Sequence, residues 1–329
     1  MIPLSILDLA PVAEGGDTAQ ALHHCLDLAR HADAWGYARY WLAEHHNMSG
    51  VACSATVVLI GHVAGGTQRI RVGSGGIMLP NHAPLVVAEQ FGTLATLYPG
   101  RIDLGLGRAP GTDQPTMRAL RQGMARGEDS FVDDIAELKR YFGPDQPGQM
   151  VRAIPGRGTE VPMWILGSSL YGAQVAAHYG LPFAFASHFA PDQLDPALAI
   201  YRERFKPSPE WAVPHVMVAA NVLVAETDEE AAHLFTSLQQ RFLGLVTGRR
   251  GVLPRPVESM DALWSPAERA QVERMLSVSA VGRPATVAQR LSQIIERTGA
   301  NELIVTTSAH DPAKRLRSYE LLAGIAASQ

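Results

Sequence analysis

Cysteine is almost absent from this chain. Of 329 residues only Cys25 and Cys53 carry a thiol, both in segments that read as helix. Two thiols cannot build a disulfide framework, so a reducing compartment, the cytoplasm, is the expectation. Lysine is nearly as rare: it occurs three times, leaving arginine to supply most of the 28 basic residues against 32 acidic ones. With a net charge of −4 and no basic block, nucleic acid is not an expected partner. Long apolar runs are missing too, and none approaches the ~20 residues that a membrane-spanning helix needs. The opening residues, MIPLSILDLA, have no positive n-region and run straight into a strand pattern, which does not read as a signal peptide.

What is plentiful is apolar residues, 47% of the chain, in short runs that alternate with longer amphipathic stretches. The short runs predict strands at 4–10, 39–46, 70–79 (with a glycine break), 101–108, 163–168, 182–187, 215–225 and 302–309. Helices are predicted at 18–35, 54–66, 84–98, 128–142, 170–179, 191–205, 228–246, 284–298 and 312–326. Eight apolar strands, each followed by a helix, imply a parallel sheet covered on both faces, and eight is the number that closes a (β/α)8 barrel. A doubly wound sheet would need a glycine fingerprint in the first turn, where APVAEGG does not fit. One domain over 1–329 is therefore expected. It is interrupted by a Gly- and Pro-rich connection at 143–161 and by a second irregular stretch from 247, which has no strand character to 271.

Barrel sites lie at the C-terminal ends of the strands. The strand ends here offer Asp8, Glu44–His46, Gly75–Gly76, Arg108, Ser168–Ser169, His188 and Ser308–His310. Glu44, His45 and His46 form a carboxylate–imidazole–imidazole run. Alternation along a strand puts Glu44 and His46 on one side and His45 on the other, a poor geometry for three metal ligands, and no metal is expected. The imidazoles are then either structural groups satisfied by hydrogen bonds or acid/base groups. Gly75–Gly76 is either a kink or the seat of a flat ring. Arg108 either faces a phosphate or makes a surface salt bridge. Ser168 or Ser169 caps the next helix, with or without an anion on its first amides.

Several long blocks, in order, resemble the bacterial luciferase-like flavin monooxygenases: EHH at the end of strand two, VGSGGIMLPNHAPLVVAEQFGTLATLYPGRIDLGLGRAPG across strands three and four, ILGSSLYGAQVAAHYGLPFAFASHF across strands five and six, and VGRPATVAQRL at 281–291. The likeness covers essentially the whole chain. It implies a (β/α)8 barrel that takes reduced FMN from a separate NAD(P)H:flavin reductase. In that family O2 adds at flavin C4a, and the resulting peroxyflavin oxygenates a small organic substrate. Carried over position by position, His45 corresponds to the active-site histidine. Gly75 and Gly76 correspond to a pair joined by a cis peptide under the isoalloxazine ring, so that Gly76→Val should clash with the ring. Arg108 corresponds to the arginine at the flavin phosphate, and Gly167, Ser168 and Tyr171 to the turn that holds it. Asp8, Glu44, His46, His82 and His188 are left as candidate rim or substrate contacts.

The family's luciferases have an acidic residue where Gly167 stands, a threonine where Tyr171 stands and a cysteine where Gly107 stands, so light emission and a long-chain aldehyde substrate are not implied. The resemblance also makes 247–280 a mobile lid, with Arg249, Arg250 and Arg255 either drawn to the phosphate or solvated. It makes a homodimer through the second and third helices the expected assembly. Three rivals are carried forward: an F420-dependent hydride-transfer dehydrogenase on the same barrel, a flavin-binding protein without turnover, and a glycosidase using Asp8, Glu44 or Asp103. Asp103 begins its strand, at the wrong end for the last of these.

Overall fold

A computed structural model describes residues 2–109, 112–120 and 130–327. Gly111 and the first residues of the helix predicted at 128–142 lie outside the described residues. The strands are β1 (Leu4–Asp8), β2 (Arg39–Leu42), β3 (Arg71–Ser74), β4 (Ile77–Met78), β5 (Ile102–Gly107), β6 (Met163–Gly167), β7 (Phe183–Phe185), β8 (Val216–Val224), β9 (Ser279–Gly282) and β10 (Glu302–Thr306). All pairings between them are parallel. The order β10-β1-β2-β3-β5-β6-β7-β8 closes on itself because β8 also pairs with β10, from Met217↔Glu302 to Asn221↔Thr306. The result is a closed (β/α)8 barrel, as expected.

The helices described are α1 (Thr18–Trp35), α2 (Thr56–Gly65), α3 (Pro84–Leu97), α4 (Gln114–Leu120), α5 (Phe131–Phe142), α6 (Leu170–Tyr179), α7 (Leu194–Arg204), α8 (Asp228–Val246), α9 (Pro266–Met275), α10 (Pro284–Thr298) and α11 (Pro312–Ala327). Their ends follow local chemistry. Asp17 and Gln20 form a capping box at the start of α1, and Gly36 ends it in the left-handed region at φ 84°.

Alternation sorts side chains between the barrel interior and the layer under the helices. Arg39 and Trp41 point inward, and Tyr40 and Leu42 outward. The interior floor is an ion cluster. Asp103 accepts from Arg39 Nη1 at 2.7 Å, from Arg71 Nη2 at 2.5 Å and from Trp41 Nε1 at 3.2 Å, while Glu302 accepts from Arg39 Nε at 3.0 Å and from Ser5 Oγ. Trp41 and Trp164 meet edge to face above it, ring centroids 5.2 Å apart. Charge and indole thus close the N-terminal end, so a ligand can enter only from the C-terminal mouth. Near that mouth the inward positions are small, including Ala43, Gly107 and Ala186.

Five expectations need correction. The strand predicted over 39–46 stops at Leu42, because Ala43–His46 turn away to bring Glu44 to the third strand region. Cys53 lies in the loop before α2, not in a helix. The short helix α4 was not foreseen. The irregular stretch contains α9, and β9 follows it, pairing Asn221↔Ser279 to Val224↔Gly282 along the upper half of β8. The stretch is also pinned to the barrel: Leu253 N donates to Val12 O at 2.8 Å and Glu14 N to Leu253 O at 2.8 Å. Finally, the peptide between Gly75 and Gly76 is cis, as the resemblance implies, but a Cβ on Gly76 would lie 2.8 Å from Gly105 O and 3.2 Å from Leu106 N. The missing side chain there is explained by β5 pressing on this bend, so Gly76→Val would strain the strands whether or not a ring lies nearby.

Candidate active site

Three loops bring titratable groups to the mouth. The first follows β2. Glu44 is buried, and its Oε1 accepts from His46 Nε2 at 2.8 Å and from His82 Nε2 at 2.8 Å, while Oε2 accepts from Met78 N at 3.1 Å. Burial alone would raise its pKa, but the two imidazoles and the amide outweigh burial and hold it at about 2. Glu44, His46 and His82 therefore form a closed cluster that ties the β2 loop to the segment after β4. Each imidazole gives its Nε2 to the carboxylate, and among the described residues no group of His, Cys, Asp and Glu is placed to hold a metal ion.

This cluster has a pH signature. The Glu44 carboxylate is stabilised in the fold relative to its ordinary value of 4.5. Its contribution is complete above pH ~4.5 and fades as pH falls towards 2, a span of roughly 3 kcal/mol. Glu44→Gln should lower unfolding free energy by about 1–3 kcal/mol at pH 7. It should also flatten the acid decline below pH 4.5, as checked by urea denaturation at pH 7 and pH 3. An unchanged acid decline in the variant would contradict the assignment.

His45 stands between Glu44 and His46 on the same loop. Its carbonyl accepts from Ser54 Oγ at 2.7 Å, which fixes the loop. His188 lies on the second loop, after β7, near enough to feel the charge of His45. Burial first, and then the nearness of His45, lower the His188 pKa to about 4, so His188 is a neutral imidazole at pH 7. Its Nδ1 is shielded and has no hydrogen-bond partner among the described residues. Its carbonyl is held by Asn221 Nδ2 at 2.6 Å. Asn221 is a buried amide at the mouth end of β8 that alternation alone did not single out.

The third region joins the end of β5 to the start of α6. The Arg108 guanidinium lies 4.1 Å from the centroid of the Tyr171 ring and has no carboxylate partner among the described residues. Tyr171 stands in the first turn of α6. Ser169 takes the extended N-cap conformation, φ −144° and ψ 169°, without a side-chain capping bond. Ser168 and Gly167 lead into it. A Cβ on Gly167 would come no closer than 3.5 Å to Gly172 Cα, so glycine at this position leaves room instead of relieving a clash. Arg108, Ser168 and Ser169 thus stand together at the start of α6, whose Leu170 N already donates to Gln193 Oε1 at 3.3 Å.

The remaining candidates fall elsewhere. Asp8 does not reach the mouth. It points outward under the helices, where it accepts from Arg315 Nη2 at 2.7 Å, Ala10 N at 2.8 Å and Tyr40 Oη, a buried structural ion pair. His310 Nε2 donates to Glu14 O at 2.9 Å and lines a separate cleft of about 610 Å³ between α1 and α11. Arg249, Arg250 and Arg255 are exposed, the solvated alternative. With Asp8 and Asp103 in ion pairs away from the mouth and Glu44 committed to two imidazoles, no free carboxylate pair remains for glycoside hydrolysis among the described candidates.

Known proteins match this chain along its length. The family model for luciferase-like monooxygenases matches residues 2–302. The luciferase-like monooxygenase of Escherichia coli (strain K12) is 54% identical over 320 residues, covering 97% of this chain and 96% of that protein. The N-acetyl-S-alkylcysteine monooxygenase of Bacillus subtilis (strain 168) is 32% identical over 328 residues, covering 98% and 97%. Among solved structures, apo-MsnO8 superimposes with a TM-score of 0.90 at 35% identity, covering 100% of this chain and 99% of that one. Two more distant structures share the fold. One is the oxygenating constituent of 3,6-diketocamphane monooxygenase from Pseudomonas putida in complex with FMN, at TM-score 0.74, 19% identity and 98% and 96% coverage. The other is an F420-dependent secondary alcohol dehydrogenase, at TM-score 0.67, 15% identity and 97% coverage of each. With the barrel, the histidine-lined mouth and these matches, the chain belongs to the luciferase-like monooxygenase family.

Proposed function

We propose that this protein is an FMN-dependent monooxygenase: it binds reduced FMN delivered by a separate NAD(P)H:flavin reductase and uses O2 to oxygenate a small organic substrate. The observation that carries the reading is the Arg108 guanidinium stacked on Tyr171 at the first turn of α6, with no carboxylate partner among the described residues. A flavin phosphate fits this feature, and a tricyclic ring fits the small inward residues and the cis-linked Gly75–Gly76 bend. Bound there, reduced FMN would supply the two electrons with which one oxygen atom of O2 reaches the substrate and the other leaves as water.

The chain's own residues have separate tasks. Arg108, Ser168 and the α6 amides hold the phosphate, with Gly167 and Tyr171 shaping the turn. His45 holds or transfers a proton at its imidazole, facing the ring. Neutral His188 offers a second imidazole across from it. The Glu44–His46–His82 cluster keeps the β2 loop rigid so that His45 stays in place. The segment pinned at Leu253 shields the mouth from water, which matters wherever activated oxygen can be lost to solvent. Support for a separate reductase comes from the FMN-bound neighbour, which is named as one constituent of its monooxygenase.

Anaerobic titration tests the cofactor. Reduced FMN should bind at least ~10-fold more tightly than reduced riboflavin, which lacks the phosphate, and more tightly than F420. Tight F420 binding without FMN binding would instead make this barrel a hydride-transfer dehydrogenase. FMN binding without any O2 consumption beyond that of free flavin would make it a non-catalytic flavin carrier.

We also propose that two copies pair through α2 and α3. Tyr98 Oη donates to Gly61 O at 3.2 Å, joining the two helices, and they expose Val58 (70%), Val86 (46%) and Leu97 (63%) to solvent in the single chain. Sedimentation equilibrium should give a dimer for the native protein and a monomer for Val58→Asp; a native monomer would remove the proposal. No described helix is long and apolar enough to cross a membrane. Both cysteines are free and buried, which supports placing the protein in the cytoplasm.

A further inference from the structure

Two buried polar side chains face the barrel interior at the mouth and have no task in the site described so far. In the parallel pairing of β8 with β10, Met217 stands beside Glu302, Ala219 beside Ile304 and Asn221 beside Thr306. Neighbours in register point to the same face of a sheet, and Glu302 belongs to the interior ion cluster. Alternation from Glu302 therefore directs Ile304 and Thr306, and with them Ala219 and Asn221, into the barrel. Asn221 and Thr306 are the last of these pairs and stand at the mouth, 2% and 7% exposed.

Their polar atoms are only partly used. Asn221 Nδ2 donates to His188 O at 2.6 Å and lies 3.5 Å from Ser279 Oγ. A backbone carbonyl can only accept, so the amide nitrogen is fixed on that side and Oδ1 on the other. Among the described residues Oδ1 accepts no hydrogen bond and Thr306 Oγ1 makes none, and neither atom is sealed in by protein. Strand order sets this pair across the barrel from the Gly75–Gly76 bend and Gly107. In the closed order of eight strands, β3 is four places from β8 and β5 is four places from β10. The inward residues on either side of the pair, Ala186 after β7 and Leu7 in β1, carry no charge.

We propose that Asn221 and Thr306 anchor the organic substrate, and that the substrate carries an uncharged amide group, a primary carboxamide or a lactam, which docks on them. This inference rests on the reading of the mouth as a flavin site. That reading seats the ring on the Gly75–Gly76 side, which leaves the wall of β8 and β10 to the substrate. Asn221 Oδ1 can only accept, so its ligand must bring an N–H or O–H. The Thr306 hydroxyl is free to donate to a carbonyl. A primary amide or a lactam carries both groups side by side, whereas a ketone lacks the donor. A carboxylate lacks it too, and brings a charge that none of these inward residues neutralises. A buried acceptor left unpaired is costly, so the pair selects against both. Asn221 and Thr306 thereby act as specificity residues: they hold the amide end and turn the rest of the substrate towards the ring.

Saturation-transfer NMR titration tests the pair without knowledge of the natural substrate. The probes are hexanamide, methyl pentyl ketone and hexanoate, which share one alkyl chain and differ only in the group beside the carbonyl. Native protein in the presence of FMN should bind hexanamide at least ~10-fold more tightly than the ketone or the acid. Asn221→Leu should abolish the preference over the ketone, and Thr306→Val should weaken hexanamide severalfold. Thr306→Ser, which keeps the hydroxyl, should behave as native protein, and every variant should keep native FMN affinity. If Asn221→Leu does not fold, the two Thr306 variants and the native ratio decide. Ketone or hexanoate binding as tight as hexanamide, or no binding of hexanamide, overturns the proposal, as does native behaviour of Thr306→Val. Loss of FMN affinity in Thr306→Val also overturns it, by assigning the pair to the flavin. Failure of the flavin reading looks different: native protein would then prefer hexanamide in the same way and bind no FMN.

Discussion

Replacing His45 with alanine should lower product formation by ~10²-fold or more while reduced FMN binds as in the native protein. The reasoning is geometric. His45 lies on a loop held by its own carbonyl and by the Glu44–His46–His82 cluster, neither of which involves the imidazole. Deleting the ring removes a proton-handling group while these two anchors of the loop remain. It also takes away one of the two influences that hold the His188 pKa near 4, so the His188 value should rise in the variant. NMR titration of that imidazole gives a readout independent of turnover. Native turnover in His45→Ala would assign the chemistry to another group.

Arg108→Ala should weaken reduced FMN by roughly 10- to 100-fold, the equivalent of one charge-assisted contact worth about 1.5–3 kcal/mol. Riboflavin should bind both forms alike, since only the phosphate is addressed. Lysine should restore part of the loss. It keeps the charge but gives up the planar stack on Tyr171 and the bidentate fork. Anaerobic titration of the two variants with reduced FMN and reduced riboflavin would show this pattern. Equal weakening of FMN and riboflavin would mean that Arg108 supports the ring or the fold instead.

Helices were legible where capping and periodicity agree, and α6, α8 and α10 end where local sequence says they should. Strand ends were not, because they are set by partners. Leu42 is the last residue of β2 because Glu44 must swing to His82, and no local pattern states that. The same limit applies to Asp8. Its position at the end of β1 suggested the mouth, but its side chain follows the alternation outward to Arg315, 307 residues along the chain. β9 was missed because four residues with two glycine or serine positions carry little strand signal until the upper half of β8 is there to receive them. At Gly76 the close approach of β5 gives a second reason for the missing side chain, one that no local pattern reveals.

The central claim is that the mouth seats a flavin between Arg108 and His45. Diffraction from crystals soaked anaerobically in reduced FMN tests it most directly. The account predicts density for the phosphate within hydrogen-bond distance of Arg108 and the α6 amides, and for the ring beside Gly75–Gly76 with His45 facing it. Flavin density only in the cleft between α1 and α11, with the mouth filled by water, would contradict it.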